Sequence, residues 1–239
     1  MSATVGPLAA STAPATHDAR TYWRVVLACC APLPWLWVAL TDALAPYPLG
    51  GSSADTVRGV AAAQEQTAWV AQAQPLFFLT FVPSVLACVV LLRRTWPRTA
   101  AALGTVGVLG ALAGTANPPV DSVVLAGLRA GVPADVLATQ VDELASSWAG
   151  WTLLLTLLLI SVGRLALGVV LYRARLAPRV LAMALVAAPF VEWGLLAAGA
   201  GNAGPALAWA LSGVGMASVS VGLLRMGDDD LDLPPVARP

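Results

Sequence analysis

The chain contains no lysine, one histidine (His17) and one isoleucine (Ile160), so all 13 of its basic side chains are arginine. These absences exclude chemistry before any motif is read. His17 lies in a polar N-terminal stretch, which leaves no imidazole in the apolar segments. A haem held between two histidines, a His-dependent zinc site and an intramembrane Ser/His protease are therefore not expected. No glycine cluster reads as a nucleotide loop, because no lysine exists to follow it. Cys29, Cys30 and Cys88 sit in apolar segments without a CxxC spacing and read as small core residues. No cofactor, no metal site and no nucleic-acid partner is expected. Charge is scarce too: 11% of residues are charged and 58% hydrophobic, against ~25% and ~45–50% in soluble domains. A chain of this composition is suited to lipid.

What is present divides into apolar runs separated by short polar connections. Residues 1–22, rich in Ala, Ser, Thr and Pro, read as a disordered cytoplasmic tail. Six spans are expected at about 25–45, 75–92, 99–116, 148–172, 180–198 and 206–224, and residues 226–239 form an acidic, Pro-containing end that reads as solvated. Pro32 and Pro34 should kink the first span, since each removes a backbone donor. Ala43-Leu44-Ala45 resembles a signal-peptidase site. The long preceding tail, the internal prolines, Trp35 and Trp37, Asp42, and Pro46 immediately after the site argue instead for a retained span.

Orientation follows from the arginines, because short cytoplasmic loops carry an excess of them. Ten lie on one side (Arg20, Arg24, Arg93, Arg94, Arg98, Arg173, Arg175, Arg179, Arg225, Arg238) and two, Arg58 and Arg129, on the other. Both termini are therefore expected in the cytoplasm, in a cytoplasmic (inner) membrane. The two long outer connections carry short amphipathic helices. Ser52 and Asp55 form a capping-box pattern, with the following helix running towards the second span. Asp121 can cap a second helix and Pro133 can start a third, with Val136, Leu137, Val141 and Leu144 on its apolar face.

Arg164 breaks the rule of an apolar membrane centre. It lies nine residues before Arg173, or roughly 13 Å from the cytoplasmic boundary at ~1.5 Å per residue, and a centrally placed guanidinium costs ~2.5–3.5 kcal/mol on insertion scales. Glu192 lies thirteen residues past Arg179, roughly 20 Å from the same boundary. The fourth and fifth spans are joined by a short turn and should pack as an antiparallel hairpin, bringing the charges within ~6 Å in depth. An intramembrane ion pair is expected, either locking the hairpin or lining a ligand site. Pro189, three residues before Glu192, frees the carbonyl of Leu185. An outer polar rim is expected from Asp42, Gln72, Gln74, Asn117, Asp121, Trp148 and Trp151, with interface anchoring and chain reversal as the plainer reading. Gly104, Gly107, Gly110 and Gly114 in the third span, with Gly213/Ala217 and Ser218/Gly222 in the sixth, predict close helix packing within the bundle or against another subunit.

The kinked, Trp-containing first span, the Asn-Pro-Pro after a Gly-rich span, the PFVEWG of the fifth span and the acidic end together resemble uncharacterised polytopic membrane proteins of actinobacteria. A GC-rich bacterial codon bias, read from Arg in place of Lys and the near absence of Ile, agrees with this. The resemblance implies a membrane location and brings no catalytic residues. The expectation is an all-α protein, a bundle of six transmembrane helices, with small-molecule or lipid binding or transport at Arg164 and Glu192. A structural or accessory subunit, working as a homo-oligomer or with a partner membrane subunit, is the competing class. An enzyme would have to work with carboxylates alone, such as Asp42, Asp121 or Glu192.

Overall fold

The computed structural model describes residues 19–115 and 119–231. Among these there are ten α-helices, one 3-10 turn and no strand: α1 (Ala19–Cys30), α2 (Leu33–Ala43), α3 (Ser53–Ala62), α4 (Gln64–Leu92), α5 (Pro97–Thr115), α6 (Val120–Arg129), α7 (Ala134–Ser146), α8 (Trp148–Ala174), α9 (Arg179–Ala197) and α10 (Ala203–Arg225). Among the described residues four stretches are long and apolar enough to cross a membrane: Ala19–Ala43, which joins α1 and α2, and α8, α9 and α10. In α4 the described apolar stretch is the shorter Leu79–Leu92. Helix α1 begins at Ala19, inside the segment expected as a tail, whose first 18 residues lie outside the described ones.

Each interruption has a local cause. Pro32 and Pro34 separate α1 from α2, as the missing donors require. Pro32 leaves the Ala28 carbonyl without its helical partner, and Ser220 of α10 donates to that oxygen at 2.6 Å. Ser84 of α4 donates to the Ala31 carbonyl at the same break, at 2.7 Å. The Ser220 hydroxyl thus restores in the bundle what Pro32 removes from the helix. Helix α3 starts on the expected capping box, with Ser52 and Asp55 bonded reciprocally. Asp121 does not cap α6; Pro119 holds the N-cap position, and Asp121 lies in the first turn, where its carboxylate accepts the Ser122 N–H at 2.9 Å. The helix thus starts two residues earlier than an Asp121 cap would place it. Gly199, at φ +70°, ends α9, while the N–H of Ala200 bonds the Leu195 carbonyl at 3.0 Å, a closure that favours glycine.

Helix α10 is the hub, packed against α9, α2, α1, α4 and α8. Its small residues allow this. A Cβ added at Gly213 would meet Leu36 of α2 at 2.5 Å, one at Gly215 would meet Leu185 of α9 at 2.4 Å, and one at Gly222 would meet Leu91 of α4 at 2.9 Å. Helix α5 packs on α4 and α8, with Gly104 and Gly107 facing Val89 and Val85. Both Gly-rich helices thus press on α4, at Leu91 and at Val85 and Val89. Outside the bundle core, α3, α6 and α7 bury Val57, Val60, Val124, Leu125 and Leu137 in a second small core. Leu137 and Val141 of α7 face this core, while Val136 is exposed, so the apolar stripe is narrower than its sequence pattern.

Candidate functional site

Arg164 is brought to Glu192 by the α8–α9 hairpin. Gly168, one turn further along α8, lets the helices approach: a Cβ there would lie 2.9 Å from the Ala182 carbonyl oxygen and 2.8 Å from Val186. The Arg164 side chain is 1% exposed and that of Glu192 12%. Nη2 of Arg164 donates to Glu192 Oε2 and, at 3.1 Å, to Ser161 on its own helix; Nη1 donates to Ser212 of α10 at 3.0 Å. Ser212 passes its own proton to the Ala208 carbonyl at 3.0 Å. Two indoles complete the cage. The guanidinium carbon lies 4.4 Å from the Trp209 ring centroid and 6.0 Å from that of Trp35, and the two rings stack at 5.8 Å.

The electrostatic logic is that of a charge made tolerable in hydrocarbon. Glu192 cancels the formal charge, the hydroxyls take two further donors, and the ring faces add cation–π attraction. One nitrogen is left over: the Arg164 Nε is buried and has no hydrogen-bond partner among the described residues. A cavity of about 60 Å³ runs between α4, α5 and α8, walled by Trp35, Phe81, Val85, Leu103, Ile160 and Leu167, and Arg164 contributes to its lining. At ~10–15 Å³ per enclosed water, such a space holds a few waters or a slender apolar group and no bulky solute. Gly163 lines it, and a Cβ there would meet nothing within 4 Å.

The expected outer rim is only partly assembled. Asp42, at the end of α2, is within electrostatic reach of Glu192. Tyr47, which sequence reasoning passed over, is within reach of both Asp42 and Asp121. Burial, and secondarily these two carboxylates, push its phenol well above the usual tyrosine value. Burial also raises Asp121, against the opposing pull of the Ser122 N–H. Trp148 does not join this group; it is 81% exposed at the first residue of α8. Asn117 lies outside the described residues, as does the side chain of Gln74.

Other residues were not singled out from sequence. Ser161 and Ser212 carried a signal, since a hydroxyl one turn from an arginine and another in a facing apolar helix are the partners a buried guanidinium seeks. Asn202 is a second omission: its amide donates to the Ala45 and Tyr47 carbonyls at 2.9 Å each and accepts the Leu49 N–H at 2.7 Å. It ties the α2–α3 loop to the α9–α10 turn. At the opposite end, Asp228, Asp229 and Asp230, partly to fully exposed, lie against Arg24, Arg20 and Arg94. Among the described residues no group of three or more His, Cys, Asp or Glu side chains could hold a metal ion. No protein-family model, no curated protein and no solved structure matches this chain.

Proposed function

We propose that this is a six-span protein of a bacterial cytoplasmic membrane, both ends cytoplasmic, that binds a small molecule or lipid at the level of Arg164 and Glu192. Four of its spans are the long apolar stretches. The other two are α4 and α5, which pack together, with α5 also against α8. The reading rests chiefly on one observation: Arg164, a buried residue held in an ion pair with Glu192, contributes to the lining of a cavity. A pair that served only to lock α8 to α9 needs no cavity. The exposed apolar residues Leu109, Leu112, Leu155 and Val162 on α5 and α8 favour a mouth facing hydrocarbon, accessible to lipid-soluble molecules.

The test is the content of the purified protein. Lipids and small molecules extracted from wild type and from Gly163→Leu are compared by mass spectrometry. The substitution fills the cavity where a Cβ meets nothing and leaves the ion pair in place. One species retained in stoichiometric amount by wild type and lost from the variant supports the reading; identical contents sink it. Whether binding belongs to transport is tested with Glu192→Gln, which should abolish movement of that species across vesicles while leaving the fold intact.

A second reading, an accessory subunit, draws on α5. The small residues of α10 are filled by neighbours, whereas a Cβ at Gly110 would meet only Ile160, at 3.9 Å, and Val108, Leu109 and Leu112 are exposed beside it. A partner helix, from a second copy or another subunit, fits that face. Gly110→Leu would then remove a partner that survives mild detergent extraction of the wild type.

A further inference from the structure

The acidic turn that follows α10 is held by arginines from two distant parts of the chain. Arg20 and Arg24 stand in the first two turns of α1, and Arg94 in the turn after α4. Asp228 lies 3.1 Å from Arg24 and accepts the Thr21 hydroxyl at 2.6 Å; Asp230 accepts from Arg94; Asp229 lies 3.5 Å from Arg20. Tertiary structure, not a local basic run, assembles this cluster.

The fit between the aspartates and the arginines is incomplete. Each of these three carboxylate contacts is made through an Nη1 atom. Among the described residues the Nε of Arg24, of Arg94 and of adjacent Arg93 are buried without a hydrogen-bond partner, and Asp228 Oδ1, although 3.1 Å from Arg24 Nη1, forms no hydrogen bond. The Nε–Nη edge of a guanidinium is the one that grips an oxyanion with two parallel bonds. A carboxylate on a short side chain offers two oxygens in one plane. A phosphate offers more oxygens in a tetrahedron and meets donors converging from several directions. Tyr22 and Trp23, exposed and in edge-to-face contact at 5.6 Å, occupy the same stretch of α1. Aromatic side chains of this kind gather at the headgroup level of a bilayer.

We propose that Arg24, Arg93 and Arg94, with Arg20, form a site for the phosphate of an anionic lipid headgroup, and that Asp228–Asp230 is a built-in competitor occupying it when no such lipid is bound. The competitor is displaceable. Side-chain exposures of 32%, 93% and 39% for Asp228, Asp229 and Asp230 make these individually weak, salt-screened pairs. The turn itself is only three residues of 3-10 helix. The proposal is independent of the Arg164 site.

The test titrates full-length protein in detergent with phosphatidylglycerol and follows binding by native mass spectrometry. Phosphatidylcholine with the same acyl chains is the zwitterionic control, and inorganic phosphate is added as competitor in a separate arm. Asp228→Asn with Asp229→Asn and Asp230→Asn should bind phosphatidylglycerol about tenfold more tightly than wild type. Adding Arg24→Gln and Arg94→Gln should abolish the gain. In wild type, phosphatidylglycerol and not phosphatidylcholine should speed amide exchange across residues 226–231, a measurement that needs no variant. Competition by inorganic phosphate at millimolar concentration would assign the site to free phosphate rather than lipid and overturn the lipid assignment. Equal affinity of wild type and the Asn variant, no change in exchange, or unaltered binding after the arginine changes would each overturn the proposal.

Discussion

Ser220 donates its hydroxyl to the Ala28 carbonyl at 2.6 Å, across the interface between α10 and α1, at the one oxygen that Pro32 deprives of its helical donor. A kinked membrane helix is thereby secured by a residue nearly two hundred positions away. Removing the hydroxyl leaves a carbonyl unsatisfied in an apolar setting, so Ser220→Ala should cost about 1 kcal/mol. Ser218, two residues earlier, has a buried hydroxyl with no hydrogen-bond partner among the described residues, and Ser218→Ala should be neutral or stabilising. Thermal unfolding of both variants in detergent checks the contrast.

Arg164→Leu and Glu192→Leu should each destabilise by about 3–5 kcal/mol, because either change strands a buried charge. The double variant should recover most of that loss, while any ligand retained through the site should remain lost. Denaturant unfolding of the four proteins gives the coupling. If the double variant regains both stability and ligand, the pair is purely structural.

Of the hairpin's two glycines near the site, only one is needed for packing. Gly168→Ala should cost about 1–3 kcal/mol by forcing α8 away from the Ala182 carbonyl. Gly163→Ala meets open space and should leave the melting temperature unchanged or raise it.

How far the sequence disclosed this site is itself informative. Arg164 and Glu192 could be paired because distance from a shared turn fixes depth in an antiparallel hairpin, and depth is what matters for a charge in hydrocarbon. Ser212, Trp35 and Trp209 could not be paired with Arg164 this way, since they reach it from helices whose rotation no local pattern states. The Gly-rich pattern marked α5 and α10 as close-packing without naming their partners. Asp228–Asp230 read as solvated because a run of like charge repels itself; the arginines they also meet, Arg20, Arg24 and Arg94, come from two distant parts of the chain.

Tyr47 offers a pH test with a definite sign. Its phenol is raised by burial first and by Asp121 and Asp42 second, so the folded chain resists its ionisation. Stability from this residue is full below the ordinary tyrosine value and falls as pH rises from that value towards the folded one. Asp121→Asn removes one nearby negative charge and should bring the Tyr47 titration down. Absorbance titration in a background with Tyr22 and Tyr172 changed to Phe measures it.

The proposed orientation predicts opposite labelling of two introduced cysteines. With Cys29, Cys30 and Cys88 changed to Ser, Ala54→Cys in α3 should react with an impermeant maleimide only from outside intact cells, and Arg98→Cys at the start of α5 only after lysis. Reversed labelling would invert the topology.

The hub position of α10 bears on how the bundle is made. It leaves the ribosome after every other described helix, yet α1, α2, α4 and α9 all rest on it. Until it enters the membrane, the groove facing Gly213, Gly215 and Gly222 has no occupant, and the proline-broken first span has an open carbonyl. The α4–α5 and α8–α9 pairs do not need α10, but the main core lacks Trp209, Met216, Val219 and Leu223 until it arrives. Closure of that core is thereby made a late event, and a chain that stops before Ala203 keeps only the small core of α3, α6 and α7 complete.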